Sequence, residues 1–279
     1  MSYKIAADSS SNIYTLSGTD YAYVPLKIIT ADREYVDTPD MDVGGMIDDL
    51  KTVEGKTSTS CPNVQDWLDA FEGTDGVFAV CITSNLSGCC SSAMNARDAF
   101  LQEHPEVKIR VIDTLSTGPE MQLIIEKLRE LINAGLSFEE IDAAITEYMT
   151  HTHLLFSLQS LTNLARNGRV SPLVAKIAGV LGIRMVGKAS DVGTLEPLHK
   201  CRGEKKALEA ILGEMSAMGF AGGEVRIAHC RNESFAIALR NRIRSMYSAC
   251  EVHIIPCGAL CSYYAEEGGL LVGFEDSRI

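Results

Sequence analysis

The sequence predicts an α/β protein of two units: a parallel-sheet α/β domain, then a smaller α+β domain with a mixed sheet and flanking helices. Three observations carry this. In the first half, three short apolar runs each end in a loop of small hydroxyl residues, and the second and third lead into helical patterns. Strand, polar loop and helix in repetition is the pattern of a parallel sheet covered by helices. In the second half, apolar strand-like runs are separated by hairpin turns as well as helices, which is how a mixed sheet reads. The boundary falls near residue 152, giving units of 1–152 and 153–279, with no low-complexity linker between them.

The first run, Lys4 to Ala7, ends in Asp8 and three serines, Ser9 to Ser11. "KTSTSCPNVQDWLDAF" follows, a cluster of hydroxyls before a helix whose Val64, Trp67, Leu68 and Phe71 share one face, with Pro62 placed as an early helical residue. The second run, Val77 to Ile82, is followed by "TSNLSGCCSS" and a helical pattern ending near His104. The third, Ile109 to Ile112, is followed by "DTLSTG" and an amphipathic helix. There Met121, Ile124, Ile125, Leu128, Leu131 and Ile132 recur at helical spacing, and Gly135 is placed to stop it. Past residue 152, "HTHLLFSLQSLTNLARNGRVSP" gives an apolar stretch, a helical pattern and a turn at Asn167–Gly168. A helix from Val174, strand-like pieces around a glycine hairpin at Val192–Gly193, and a further helix come next. "EVRIAHCRNESFAIALRNRIRSM" reads as strand, loop and helix, and "CEVHIIPCGAL" and "GGLLVGF" as closing strands.

Composition narrows the function. The formal net charge is −12 with no basic run, which argues against nucleic acid or an anionic membrane surface as the main partner. No apolar stretch approaches the ~18 residues of a membrane span, and the opening "MSYKIAADSS" lacks the pattern of a secretory leader. Nine cysteines at irregular spacing, several inside apolar runs (Cys81, Cys230, Cys250), point to a reducing cytoplasm without a disulfide framework.

In open α/β sheets the loops after the strands line one crevice, where ligands bind. The three Ser-rich loops therefore converge, and helix amino termini there leave free N–H groups beside their hydroxyls. No lysine or arginine lies in these loops and no GxxxxGK[ST] occurs, so a singly charged carboxylate fits better than a polyphosphate. Ser87, or Cys89 or Cys90 at a helix start, could instead act as a nucleophile on an acyl or small carboxylate substrate. "NLSGC" is not G-x-S-x-G, however, and no His–Asp pair presents itself. A binding module for a small polar carboxylate or phosphate is a third reading. His253, Cys257 and Cys261 repeat every fourth residue, but Pro256 and Gly258 break the segment, so no metal is expected. His151 and His153 mark the junction of the units, and Arg166, Arg169, Lys200 and Arg202 form a cationic rim.

The stretches "ADSSSNI", "KTSTSCPN", "ITSNLSGCCSSA", "DTLSTGPEM", "LARNGRVS" and "GTLEPLHKCRG" occur in the order and spacing of the DegV family, which the chain resembles along its whole length. The resemblance implies a non-enzymatic bacterial protein of two α/β domains, with no cofactor, that encloses a long-chain fatty acid in a tunnel between them. It also implies a partner, a fatty acid kinase, to which the carboxylate is presented for acyl-phosphate formation. By the family's motifs, Thr59 and Ser60 of the Thr-Ser-x-Pro match and Ser87 and Gly88 of the Ser-Gly match lie at the carboxylate, with Ser9 in the first Ser-rich loop. Arg202 is expected near the head group or the kinase, and Arg169 on the kinase-facing surface. Many members carry a His-x-Gly-Pro-Gly segment whose histidine helps hold the carboxylate. Here the stretch reads "YAEEG", with Tyr264 in the histidine's place and Glu266 and Glu267 close by. A phenol can donate one hydrogen bond, but acidic groups beside a bound carboxylate are unfavourable unless they point away.

Overall fold

A computed structural model describes residues 2–173 and 182–277 of the chain. The first sheet is parallel, in the order β2 (Asp20–Val24), β1 (Tyr3–Asp8), β6 (Gly76–Cys81), β7 (Lys108–Asp113). Strand β6 shows why: Val77 to Cys81 are fully buried, as befits a central parallel strand covered on both faces. Helices α2 (Val64–Phe71), α3 (Cys89–Glu103), α4 (Pro119–Asn133) and α5 (Phe138–Tyr148) supply that cover. Asn63 caps α2 through a reciprocal bond with Asp66, so Pro62 lies outside the helix. After β1 the chain makes only a 3-10 turn, Ser9–Ser11, in place of a helix.

The six-stranded mixed sheet runs β10 (Leu195–Arg202), β9 (Ile183–Ala189), β8 (Thr152–Leu158), β13 (Leu270–Glu275), β11 (Glu224–His229), β12 (Glu251–Pro256). Only the β11–β12 pair in it is parallel. Helices α7 (Gly203–Ala217) and α8 (Glu233–Met246) cover one face. The other faces α4, whose start is buried all round because it lies between the two sheets. A Cβ on Gly273 of β13 would come within 2.5 Å of the Glu120 and Pro119 backbone. His151 and His153 flank the buried Asp276 carboxylate at 3.2 and 3.1 Å, at the junction.

A small antiparallel sheet, β4 (Glu34–Val36), β3 (Lys27–Ile29), β5 (Ser58–Ser60), and helix α1 (Val43–Thr52) come from the first half. Their Ile28, Tyr35 and Met46 nevertheless join the apolar cluster of Phe156, Leu158 and Tyr263. The turn after β8 carries the short helix α6 (Thr162–Arg166). The helix expected over 174–181 lies outside the described residues. The stretch after Pro256 does not continue as a strand: Ala259–Ala265 form helix α9. The reason is distant in sequence, because the buried Asp37 carboxylate accepts the Ala259 and Leu260 N–H groups at 2.9 and 3.1 Å and the Tyr14 hydroxyl at 2.7 Å. An acceptor there satisfies the free donors of a helix start.

Candidate functional site

Between the two sheets lies a narrow slot. It has about 830 Å³ of atom-free volume. A surface cleft of about 1460 Å³ lies beside it. Leu154, Phe156 and Leu158 alternate along β8 and face it, joined by Leu26, Leu260 and Leu271. Alternation on a strand puts all three on one face. The loops after β6 and β7 form the opposite wall and brace each other through Thr83 N to Ser116 O (2.9 Å) and Thr114 Oγ1 to Cys81 O (2.8 Å). The β9–β10 hairpin closes over them: Thr83 Oγ1 donates to Gly193 O (2.9 Å) and Asn85 Nδ2 to Val192 O (2.6 Å).

Polar groups gather at one end. Thr59 of β5 and Tyr264 of α9 share a hydrogen bond of 2.7 Å between their hydroxyls. The parallel pair Thr57 and Tyr263, at 2.6 Å, backs it, and Asn167 Nδ2 donates to Tyr263 at 2.8 Å. Ser87 lines the slot just ahead of α3, its Oγ accepting from Cys89 N at 3.2 Å. Burial raises the Tyr264 phenol above its ordinary pKa, so it remains a neutral donor. Glu266 turns away to accept the Asn163 N–H (2.9 Å), and Glu267 pairs with Lys51 (2.5 Å). The two acidic residues that threatened an anion are thus engaged elsewhere, and neither lines the slot.

The slot gathers Thr59, Ser87 and Tyr264 of the expected binding residues, and leaves out Ser9, Ser60, Gly88 and Arg202. Ser9 is fully buried and accepts from Leu26 N at 3.0 Å. The first Ser-rich loop closes on Asp8 instead of opening to the crevice. That buried carboxylate accepts from Ser10, from Ile82 N at 2.6 Å and from Cys89 Sγ at 3.2 Å. Desolvation raises the Asp8 pKa and pushes the Cys89 thiol up. Ser60 Oγ turns to its neighbour's carbonyl, Cys61 O, at 3.2 Å. Gly88 caps α3 behind the slot, with a built Cβ 3.4 Å from Cys61 Sγ. Arg202 ends β10, exposed and outside the slot lining.

Arg169, expected on a partner-facing surface, stands in the slot wall beside Ser87. The turn at Gly168 (φ +74°) returns the chain so that Arg169 Nε reaches Leu86 O at 3.1 Å, and its guanidinium lies 5.8 Å from the Tyr264 ring centre. A cation therefore does attend the hydroxyl end, brought by the second half of the chain. Lys188 of β9 also borders the slot, but it pairs with Leu155, so its side chain lies on the sheet face opposite Leu154, Phe156 and Leu158 and meets Glu196 at 3.6 Å. None of the six histidines lines the slot. His253 is exposed on β12, whereas Cys257 and Cys261 are buried, so the three do not gather.

Two α/β layers enclosing a thin apolar slot with hydroxyls at one end define the class of protein. The chain belongs to the DegV family: the model described as "Uncharacterised protein, DegV family" matches residues 2–276. A DegV domain-containing protein of Streptococcus pneumoniae is 44% identical over 279 residues, covering 99% of each chain. Two solved structures superpose with a TM-score of 0.97 at 44% identity. One is a DegV family protein from Eubacterium eligens loaded with heptadecanoic acid, covering 99% of this chain and 100% of that one. The other is the Streptococcus pneumoniae Fatty Acid Kinase B3 protein loaded with linoleic acid, covering 99% of each. No helix among the described residues is long and apolar enough to cross a membrane.

Proposed function

We propose that this chain is a cytoplasmic carrier that binds a long-chain fatty acid in the slot and presents its carboxylate to a fatty acid kinase, without itself catalysing a reaction. The observation that carries the reading is the slot's asymmetry: a leucine and phenylalanine wall with Thr59, Tyr264, Ser87 and Arg169 at one end. Each buried CH₂ contributes ~0.8 kcal/mol, and the hydroxyls and the guanidinium meet the carboxylate's need for partners. The ligand lies between units 1–152 and 153–279. Arg202, exposed at the end of β10, is the residue we assign to the kinase-facing surface. The enzyme reading is disfavoured because Ser87 has no imidazole in the slot and Cys89 is a buried thiol bound to Asp8. The relatives loaded with heptadecanoic and linoleic acids support the carrier reading.

Native mass spectrometry of the purified protein tests it. A fatty acid should accompany the chain, and T59A and S87A should each weaken retention about tenfold, the worth of one hydrogen bond to a charged group. Protein that stays empty and gains no thermal stability from added fatty acids would remove the carrier reading. Incorporation of phosphate from ATP into the bound acid, only when a kinase subunit is added, tests presentation.

A further inference from the structure

Behind the slot, sulfur and a carboxylate converge in the core. Asp8 ends β1, Cys81 ends β6, and Cys89 and Cys90 open α3, all at the carboxyl edge of the first sheet and all buried. The Asp8 carboxylate is engaged at both oxygens. Oδ1 accepts from the Ser10 N–H at 3.0 Å and from the Ser10 hydroxyl, and Oδ2 accepts from Ile82 N at 2.6 Å. The other partner of Oδ2 is the Cys89 sulfur, at 3.2 Å. A carboxylate oxygen of Asp8 and the sulfurs of Cys81 and Cys89 all lie within 4.8 Å of one another. Cys90 interacts with Cys81 through its own thiol, which brings a third sulfur to the group.

A thiol is a weak donor, and a serine in the place of Cys89 would satisfy a buried carboxylate better. Sulfurs beside a carboxylate oxygen are, by contrast, a ligand set for a soft divalent ion. Around tetrahedral zinc, with sulfur at about 2.3 Å and oxygen at about 2.0 Å, neighbouring ligands stand about 3.5 Å (O to S) and about 3.8 Å (S to S) apart. The spacings within the Asp8, Cys81 and Cys89 trio lie within about 1 Å of these values. We propose that Asp8, Cys81, Cys89 and Cys90 bind one zinc ion in a closed structural site. The ion displaces the thiol protons to solvent, and three sulfurs with one oxygen select zinc or cadmium over magnesium or calcium. The Ser10 and Ile82 donors hold Asp8 in place as a ligand. Bound there, the ion ties β1, β6 and the start of α3 together just behind Ser87, whose Oγ accepts from Cys89 N.

Elemental analysis of protein purified in reducing buffer from zinc-supplemented cells tests this, together with cadmium titration followed by sulfur-to-cadmium charge-transfer absorbance. The parent should carry about one zinc per chain and show the band. C81S should lose both, as should C89S, whose hydroxyl can still donate to Asp8. C201S, at a buried thiol of the other sheet, should keep both. Zinc and band absent from the parent, or both surviving in C81S and C89S, overturn the inference. Should these variants fail to fold, proton release by the parent decides. Three buried thiols give up about three protons per cadmium bound, whereas release of one or none marks adventitious binding elsewhere and overturns the site.

Discussion

Replacing Tyr264 isolates what a phenol does where the family's histidine usually stands. In Y264F the apolar ring remains, but the hydroxyl paired with Thr59 at 2.7 Å is gone. Either that hydroxyl donates to the ligand carboxylate or it polarises Thr59 to do so. Its loss should weaken fatty-acid binding about tenfold, near the low end of the ~1.5–3 kcal/mol assigned to a hydrogen bond with a charged group. Burial raises the Tyr264 pKa above its ordinary value, so the parent's affinity should be flat between about pH 6 and 8. Y264H should behave differently. An imidazole's ordinary pKa is ~6.5, and a neighbouring carboxylate raises it. Its added attraction is fully present below the unperturbed value and is lost as pH rises through the raised one. Affinity in Y264H should therefore fall from about pH 6 to 8. Equilibrium displacement of a fluorescent fatty acid at several pH values reads both variants. Binding by Y264F within twofold of the parent, or a parent that falls as steeply as Y264H, would refute the role given to the phenol.

Three further outcomes follow from the packing and hydrogen bonds already described. In G193A, a Cβ would lie 2.2 Å from Thr83 Oγ1 on a backbone at φ +73°, so thermal melts should show a loss of about 1–3 kcal/mol. D37A leaves the Tyr14 hydroxyl and two N–H groups of α9 without an acceptor. It should cost about 2–3 kcal/mol in denaturant titration and weaken fatty-acid binding through the displaced Tyr264. Glu120 holds its proton up to about 7 against an ordinary 4.5. The stability this group contributes is fully present below the ordinary value and falls as pH rises towards about 7. E120Q lacks that slope, so its stability relative to the parent should improve between about pH 5 and 8. A relative stability constant across that range would contradict the burial argument.

Elements with long periodic signals were legible in the sequence. The buried run of β6, the helix over Met121 to Leu128 and the hairpin at Gly193 stand where apolar periodicity and turn chemistry put them. What escaped were features fixed by distant partners. Strands β3, β4 and β5 are three residues each, too short to show a period of two. Helix α9 is seven residues long and owes its start to Asp37, more than two hundred residues earlier. Thr59 and Ser87, which the family's motifs single out, both line the slot. Ser9 lies outside the slot lining because the first loop turns inward, with Ser10 donating to Asp8 and Ser9 accepting from Leu26, a demand that local sequence does not reveal. Arg169 enters the wall only through tertiary folding, so a loop without cations still lies within reach of one.

The hairpin that closes the slot also bears on time. Its tip is tied to the Ser-rich loop through the Val192 and Gly193 carbonyls, both held by side chains from one short segment, Thr83 to Asn85. An acyl chain of the proposed kind beneath it would depart on this side only when those bonds part, an event whose cost does not grow with the length of the chain. Residence then obeys two clocks, the loosening of a hairpin and the desolvation of a hydrocarbon. Long and short acids that differ widely in affinity could still leave at one common pace, that of the hairpin.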